Sequence, residues 1–449
     1  MLILLFSALF IMNYLGLFIH SKTVQYIVGL IAILCWVFSL PRANKLYKTM
    51  GLVFSVIGLI IFIYQGMALV KLPLYMTENV TLLSIFFVLP FINSIVVVGR
   101  YEQNASRILK YKSTNLAQVY LRSSLVSFLL GGLLNIATLP LVISVVQKNL
   151  KKFKDKAITN VLISKSMLRG FMLSLTWSPM EIMIALSIEI THVDYLTLFP
   201  WLLFLSLTIL LINMFLGKRY KSYLAFQKNG TESLRIKQLY KILSLGIFLA
   251  LFIVLLVFIT RIFDLGFLAA VSLLVAPYSF LWAISIKRKS SFLAYAIPVW
   301  KSRTNSLTGY MILFLSVGLF TSVLSETALL NYLQRPFQTV VETPIFLFLL
   351  IQVIFIVFAL LGFHAIVTLT ILGEIIKPFV YAINPISLSI VLIFSGLSPT
   401  MFSPFNISAS LTGDILRINP FRIVWWNLGF AFAVSSAGTL LAIFIYYLL

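Results

Sequence analysis

Residues 114–146 read TNLAQVYLRSSLVSFLLGGLLNIATLPLVISVV. The stretch is apolar enough to enter a membrane, yet basic residues flank it on both sides. Arg100, Arg107, Lys110 and Lys112 precede it, and Lys148, Lys151, Lys152, Lys154 and Lys156 follow it. Connections rich in Lys and Arg stay on the cytoplasmic side, so the stretch cannot cross once. Two full crossings need about 40 residues, and 33 are present. A hairpin that enters from the cytoplasmic side and returns satisfies both constraints.

The rest of the chain supports a membrane setting. Of 449 residues, 61% are hydrophobic and 10% charged, and the mean hydropathy is +1.06. A soluble domain carries roughly 25% charged residues. The fold class is therefore an all-α polytopic membrane protein. Spanning helices are predicted near 2–18, 22–40, 49–69, 80–99, 160–190, 197–216, 242–260, 265–285, 307–325, 381–412 and 424–448. Of the 34 Lys and Arg, 26 fall in six connections: 41–48, 100–113, 147–160, 217–241, 286–303 and 413–423. These connections share one side, which places the N-terminus inside and the C-terminus outside. They also explain the net charge of +22 without nucleic acid. The first residues lack a basic n-region and a cleavage site, so they read as a retained helix rather than a signal peptide. A single cysteine, Cys35, excludes a disulfide framework and a Cys-based metal site.

A second apolar stretch, 343–372, has the opposite surroundings. Glu326, Glu342 and Glu374 flank it, with only Arg335 and Lys377. It reads as a hairpin entering from outside. The expectation is about eleven transmembrane helices plus two re-entrant hairpins. Re-entrant backbone is tolerated only where protein or a polar cavity surrounds it, so two opposed hairpins imply a central solvated site. Arg122, Lys165 and Arg169 lie within apolar segments. They either snorkel to the cytoplasmic surface or face inward and balance an anion.

The chain resembles itself. Residues Thr176-Trp177-Ser178-Pro179-Met180-Glu181-Ile182 and Met401-Phe402-Ser403-Pro404-Phe405-Asn406-Ile407 share Ser-Pro-x-polar-Ile after an aromatic. Upstream, Gly132 and Ile136-Ala137-Thr138-Leu139 match Gly362 and Ile366-Val367-Thr368-Leu369 at nearly the same offset. The organisation is then a leading helix (1–21), a first repeat (22–216, hairpin 114–146, broken helix 160–190), a basic cytoplasmic linker (217–241) and a second repeat (242–449, hairpin 343–372, broken helix 381–412). Five helices plus a hairpin give the repeats opposite orientation, a hallmark of secondary transporters.

Pro179 and Pro404 cannot donate a backbone hydrogen bond, so each long helix must break or kink there. Ser178 and Ser403 are predicted as N-caps of half-helices beginning inside the membrane, with Ser178-x-x-Glu181 as a capping box. A half-helix N-terminus presents free N–H groups and partial positive charge to an anion. Unwound carbonyls near Thr176, Trp177, Met401 and Phe402 suit Na⁺. Glu181 could bind a coupling cation, carry a proton or cap its helix; neutral Asn406 makes the second repeat the better anion contact. Asn135, Thr138 and Thr368 supply polar atoms at the hairpin tips, which read Asn135-Ile136-Ala137-Thr138 and Ala365-Ile366-Val367-Thr368. A single buried His364 reads as structural. No Walker A, GxGxxG or HExxH pattern is present.

This layout resembles the ion transporter superfamily, which includes divalent-anion:sodium symporters and citrate or arsenite carriers. The resemblance implies an elevator-type carrier, often a homodimer, whose hairpins and broken helices move as a unit. The expected function is ion-coupled secondary transport of a small anionic solute across a bacterial cytoplasmic membrane, coupled to Na⁺ or H⁺. No cofactor or nucleic acid is involved, and membrane lipids surround the chain. The alternatives are a cation/proton antiporter using Glu181, and a lipid-linked substrate flippase or membrane-embedded transferase. The leading reading is not an enzyme and assigns no catalytic residue.

Overall fold

A chain this poor in charge must satisfy its backbone internally, and helices do so within one segment. The computed structural model describes residues 2–110, 113–151, 153, 155–224 and 236–448. Its first helices are α1 (Leu2–Ile19), α2 (Lys22–Ser39), α3 (Lys45–Tyr64), α4 (Leu72–Tyr75) and α5 (Val80–Val98). There follow α6 (Tyr101–Lys110), α7 (Leu116–Leu134), α8 (Thr138–Asn149), α9 (Lys156–Leu175), α10 (Ile182–Thr191) and α11 (Tyr195–Leu216). The second half begins with α12 (Ile236–Phe263), α13 (Phe267–Ser285), α14 (Lys289–Asn305), α15 (Thr308–Ser325) and α16 (Leu329–Val340). It ends with α17 (Pro344–Leu360), α18 (Ala365–Ile376), α19 (Pro385–Leu397), α20 (Pro399–Phe402), α21 (Ile407–Leu416) and α22 (Pro420–Leu448). Among the described residues, twelve stretches are long and apolar enough to cross a membrane. Within the basic linker expected at 217–241, residues 225–235, including Lys228 and Arg235, lie outside the described residues.

Three helices were read as connections from the sequence: α6, α14 and α16. Each is too polar to span on its own. The α6 and α16 helices are strongly amphipathic, and each directly precedes one of the two hairpin stretches.

The chain packs as two compact units, and each draws on both halves of the sequence. The first comprises Met1–Ile95, Phe258–Glu342 and Thr370–Phe379; the second comprises Val96–Val257, Thr343–Leu369 and Val380–Leu449. Lipid is as apolar as Leu, so helices in a membrane associate through small residues and polar bonds rather than through hydrophobic burial. In the first unit α3 lies along α15, and Gly51 approaches Ile312 so closely that a methyl group would collide with it. The pair is joined to its surroundings at Ser316, whose hydroxyl accepts from Trp36 Nε1 (2.8 Å) and from Ser55 Oγ (2.7 Å). Phe86 stacks on Tyr310 with ring centroids 4.5 Å apart.

In the second unit α7 and α9 form the tightest pair, and a Cβ on Gly170 would meet the Ser124 backbone. Residues 116–149, within the stretch expected as a re-entrant hairpin, fold back as a helix–turn–helix. Were α8 to continue away from α7, Asn149 would stand roughly 50 Å from the start of α7 at 1.5 Å per residue. Instead its Nδ2 donates to Leu109 O at 2.8 Å, near the end of α6 and just before α7 begins. The chain goes out along α7, turns at Asn135 and comes back.

Across the unit, α10 runs antiparallel to α19. Thr191 at the end of α10 shares a 2.6 Å hydroxyl contact with Ser389 near the start of α19. At the other end, the Met183 side chain packs against Gly396. The α21 half-helix in turn packs on α8 and α9.

Candidate functional site

The site grows from two helix interruptions. After Leu175 the chain leaves the helix through residues 176–181, and α10 restarts at Ile182 with extended Glu181 (φ −85°, ψ 125°) as its N-cap. After Phe402 the chain leaves the helix again, and α21 restarts at Ile407 with Asn406 (φ −74°, ψ 138°) as its N-cap. Asn406 Oδ1 accepts from the Ser408 N–H (3.0 Å) and the Ser408 hydroxyl (2.9 Å). Both half-helices have ten residues, and both end on a left-handed residue with φ 55°, His192 and Arg417.

The sequence placed the caps at Ser178 and Ser403, three residues too early. The break is longer than one proline requires, because both serine hydroxyls are used elsewhere. Ser178 Oγ donates to Gly132 O at 2.6 Å, and Ser403 Oγ donates to Ala359 O at 2.9 Å. The capping box Ser178-x-x-Glu181 therefore does not form; Ser178 Oγ accepts only a long bond from Met180 N (3.3 Å). Pro179 and Pro404 sit within the two interruptions, with Pro179 buried and Pro404 partly exposed.

Gly132 lies three residues before Asn135 (φ 48°), and Ala359 lies three residues before Gly362 (φ 93°). Each Ser-Pro serine thus fastens its interruption to the last helical turn before a positive-φ residue. The structure pairs Gly132 with Ala359 and Asn135 with Gly362, which shifts the sequence match of Gly132 with Gly362. The second turn accordingly falls at Leu361–His364, not at Ala365–Thr368. Thr368 is one turn into α18, its hydroxyl 3.5 Å from His364 O. His364 acts structurally, with Nδ1 accepting from Ile366 N at 3.3 Å.

Around the first interruption the side chains are enclosed. Glu181 is 9% exposed, and its Oε2 accepts from Asn135 Nδ2 at 3.3 Å. Thr138 Oγ1 and Trp177 Nε1 are buried without a hydrogen-bond partner, and buried polar groups rarely stay so. Trp177 packs on Phe128 with centroids 5.5 Å apart. The carbonyls expected to suit Na⁺ are less available than the sequence suggests. Trp177 O already accepts from Tyr195 OH (2.6 Å), while Met401 and Phe402 are helical, in α20. Thr176 Oγ1 donates to Leu173 O.

The second interruption is more open. Residues 176–182 are all buried, whereas Pro404, Asn406 and Ile407 are partly exposed and Phe405 is 45% exposed. Asn406 uses its oxygen for the cap, which leaves its Nδ2 hydrogens at an accessible surface.

Sequence reasoning gave little weight to Arg169. Arg122 reaches back toward the start of α7, its guanidinium donating to Ser113 Oγ (2.9 Å). Arg169 instead turns inward and is 5% exposed. Its signal was a cation midway along α9 with no acidic residue at helical spacing. Among the described residues, no group of His, Cys, Asp and Glu is arranged to hold a metal ion.

No protein-family model matches this chain, and no curated protein sequence matches it. Among solved structures, the fold is similar to that of the YdaH transporter of Alcanivorax borkumensis, described as having an unusual topology. The identity is 13%, the TM-score is 0.60, and the alignment covers 93% of this chain and 98% of that one. At that identity the likeness concerns the fold alone, a polytopic all-helical membrane fold.

Proposed function

We propose that this protein is an ion-coupled secondary transporter of a small anionic solute in the ion transporter superfamily. The observation that carries the reading is the paired interruption in the second unit. Two half-helices begin in the middle of long apolar segments, at Glu181 and Asn406, and each is tied by its Ser-Pro serine to a hairpin turn. Half-helix N-termini concentrate unpaired N–H groups and partial positive charge, and transporters place them at a midplane site. The antiparallel course of α10 and α19 supports reading the two halves as inverted repeats, and the flanking charges support re-entrant hairpins. The asymmetry between the repeats divides the labour. Asn406, neutral and partly exposed, contacts the anion with its free amide; Glu181, enclosed with Asn135, serves the coupling ion, Na⁺ or H⁺. Similarity of fold to a solved transporter agrees with this reading, and an elevator movement of the second unit follows from the resemblance.

Purified protein screened by thermal shift against carboxylates, phosphate and arsenite, with and without Na⁺ and across pH, tests it. A ligand that binds the folded state raises its apparent stability. The stabilising anion should lose its effect in Asn406→Ala and Ser403→Ala, and uptake into proteoliposomes should fall with it. Wild-type uptake by both variants would reject the site.

A second reading, a cation/proton antiporter, is favoured by the enclosure of Glu181. It requires antiport to vanish in Glu181→Gln; retained antiport rejects it.

A further inference from the structure

A buried guanidinium needs a reason, because an ionisable group in a membrane interior is costly and is usually paired. Arg169 lies 13 residues into α9, roughly 20 Å along the helix from Lys156, too far in to reach that end. Its Nε donates to Asn427 Oδ1 (3.2 Å), one terminal nitrogen to Asn213 Oδ1 (3.4 Å) and the other to Trp426 O (3.3 Å). The Phe430 ring face lies 4.3 Å from its central carbon. These partners hold the group but are all neutral. Three of the five guanidinium hydrogens go to these partners, and the Tyr120 hydroxyl lies beside the group as well. The single ion pair among the described residues, Lys377 with Glu374, belongs to the first unit.

Two further cations join it. Lys165 is one turn earlier on the same face of α9 and half-buried. Arg219 is exposed and lies over the Tyr220 ring (5.1 Å); Tyr220 stacks on Tyr120 (5.6 Å), whose hydroxyl donates to the same Asn213 Oδ1 at 2.7 Å. The three like charges act on one another. They grade from exposed Arg219 through Lys165 to buried Arg169. Location on the cytoplasmic side accounts for Lys165 and Arg219, but it does not account for Arg169.

We infer that Lys165, Arg169 and Arg219 form an oxyanion-binding site in the second unit, distinct from the hairpin-turn site, for the phosphate or carboxylate group of a free solute or of an anionic lipid headgroup. A planar guanidinium backed by an ammonium suits a multidentate oxyanion. The site goes beyond the transport reading, and its test does not use transport.

The test is thermal unfolding of the full chain, titrated with phosphate or sulfate against chloride at equal ionic strength in detergent. In a second arm, nanodiscs of phosphatidylcholine alone are compared with nanodiscs that also contain phosphatidylglycerol. Arg169→Gln breaks a buried network and can fail to fold, so the informative variants are Lys165→Gln, Arg219→Gln and their double. Phosphate should stabilise the wild type more than chloride does, with affinity weakened roughly tenfold by each single substitution. That result assigns a free oxyanion. Stabilisation only by phosphatidylglycerol, lost in the double variant, assigns a lipid headgroup and equally supports the site. Stabilisation that survives in the double variant, equal stabilisation by chloride, or none in any arm overturns it.

Discussion

Asn135 Nδ2 donates to Glu181 Oε2 across 3.3 Å, so one bond joins the turn of the first hairpin to the start of α10. The same asparagine makes the turn itself, at φ 48° and ψ −133°, a conformation that glycine adopts freely and other residues only under strain.

These two roles of Asn135 can be separated. Asn135→Gly keeps the turn and removes the bond; Asn135→Ala removes the bond and keeps about 1–2 kcal/mol of backbone strain that the Gly variant relieves. The Ala variant should therefore unfold at a lower temperature in detergent than the Gly variant, while both lose uptake equally. Uptake lost in the Ala variant alone would show that the turn matters and the bond to Glu181 does not.

Ser178 and Ser403 should respond alike. Each hydroxyl is buried and bonds a carbonyl three residues before a hairpin turn. Alanine at either position leaves a buried acceptor short of a donor, at about 1–3 kcal/mol. Denaturation of the two single variants should show losses of similar size, with uptake impaired in both. A stability loss confined to one variant would contradict the equivalence of the two interruptions.

How far these features could be read from the sequence depends on the kind of signal each carries. Lys and Arg on both flanks of 114–146 pointed to a fold-back there, because charge placement is a one-dimensional signal. Pro179 and Pro404 pointed to the interruptions because a missing N–H weakens a helix; Pro90, Pro200, Pro277, Pro298 and Pro336 lie within continuous helices, so it was the repeated Ser-Pro context that carried the signal. The caps were misplaced because a serine's partner is chosen by tertiary structure: Gly132 O and Ala359 O lie more than 40 residues away in the chain. Arg169 was obscured for the same reason, since Asn213 and Asn427, which turn it inward, come from distant helices. The amphipathic α6 and α16 were too polar to register as membrane elements and too short to stand out as anything else.

Gly170 and Gly429 make opposite predictions for one substitution. A Cβ at position 170 would strike the Ser124 backbone and force α7 from α9, whereas at position 429 there is nothing within 4 Å. Gly170→Ala should destabilise by about 1–3 kcal/mol through overpacking. Gly429→Ala should be neutral or stabilise by up to about 1 kcal/mol, as a helical glycine gives way to alanine. Thermal unfolding of both variants in one detergent decides this. A Gly170→Ala variant as stable as wild type would show that the α7–α9 contact is looser than described.

Thr191 and Ser389 offer a test of rigid movement. Their hydroxyls are 2.6 Å apart, close enough for cysteines at these positions to approach the ~2.05 Å sulfur–sulfur distance of a disulfide. The chain's one native cysteine, Cys35, is buried, so Cys35→Ser supplies a clean background. Thr191→Cys with Ser389→Cys should crosslink on mild oxidation and fasten α10 to α19. If the second unit moves as one body, the crosslink joins two parts that never separate, and uptake should survive oxidation. If instead α10 and α19 slide past each other during transport, oxidation should arrest uptake and a reductant restore it. Crosslinking is measured by mass spectrometry of the bridged peptides, and uptake in the same proteoliposomes before and after reduction; arrest with full crosslinking would rule out an elevator carried by the whole second unit.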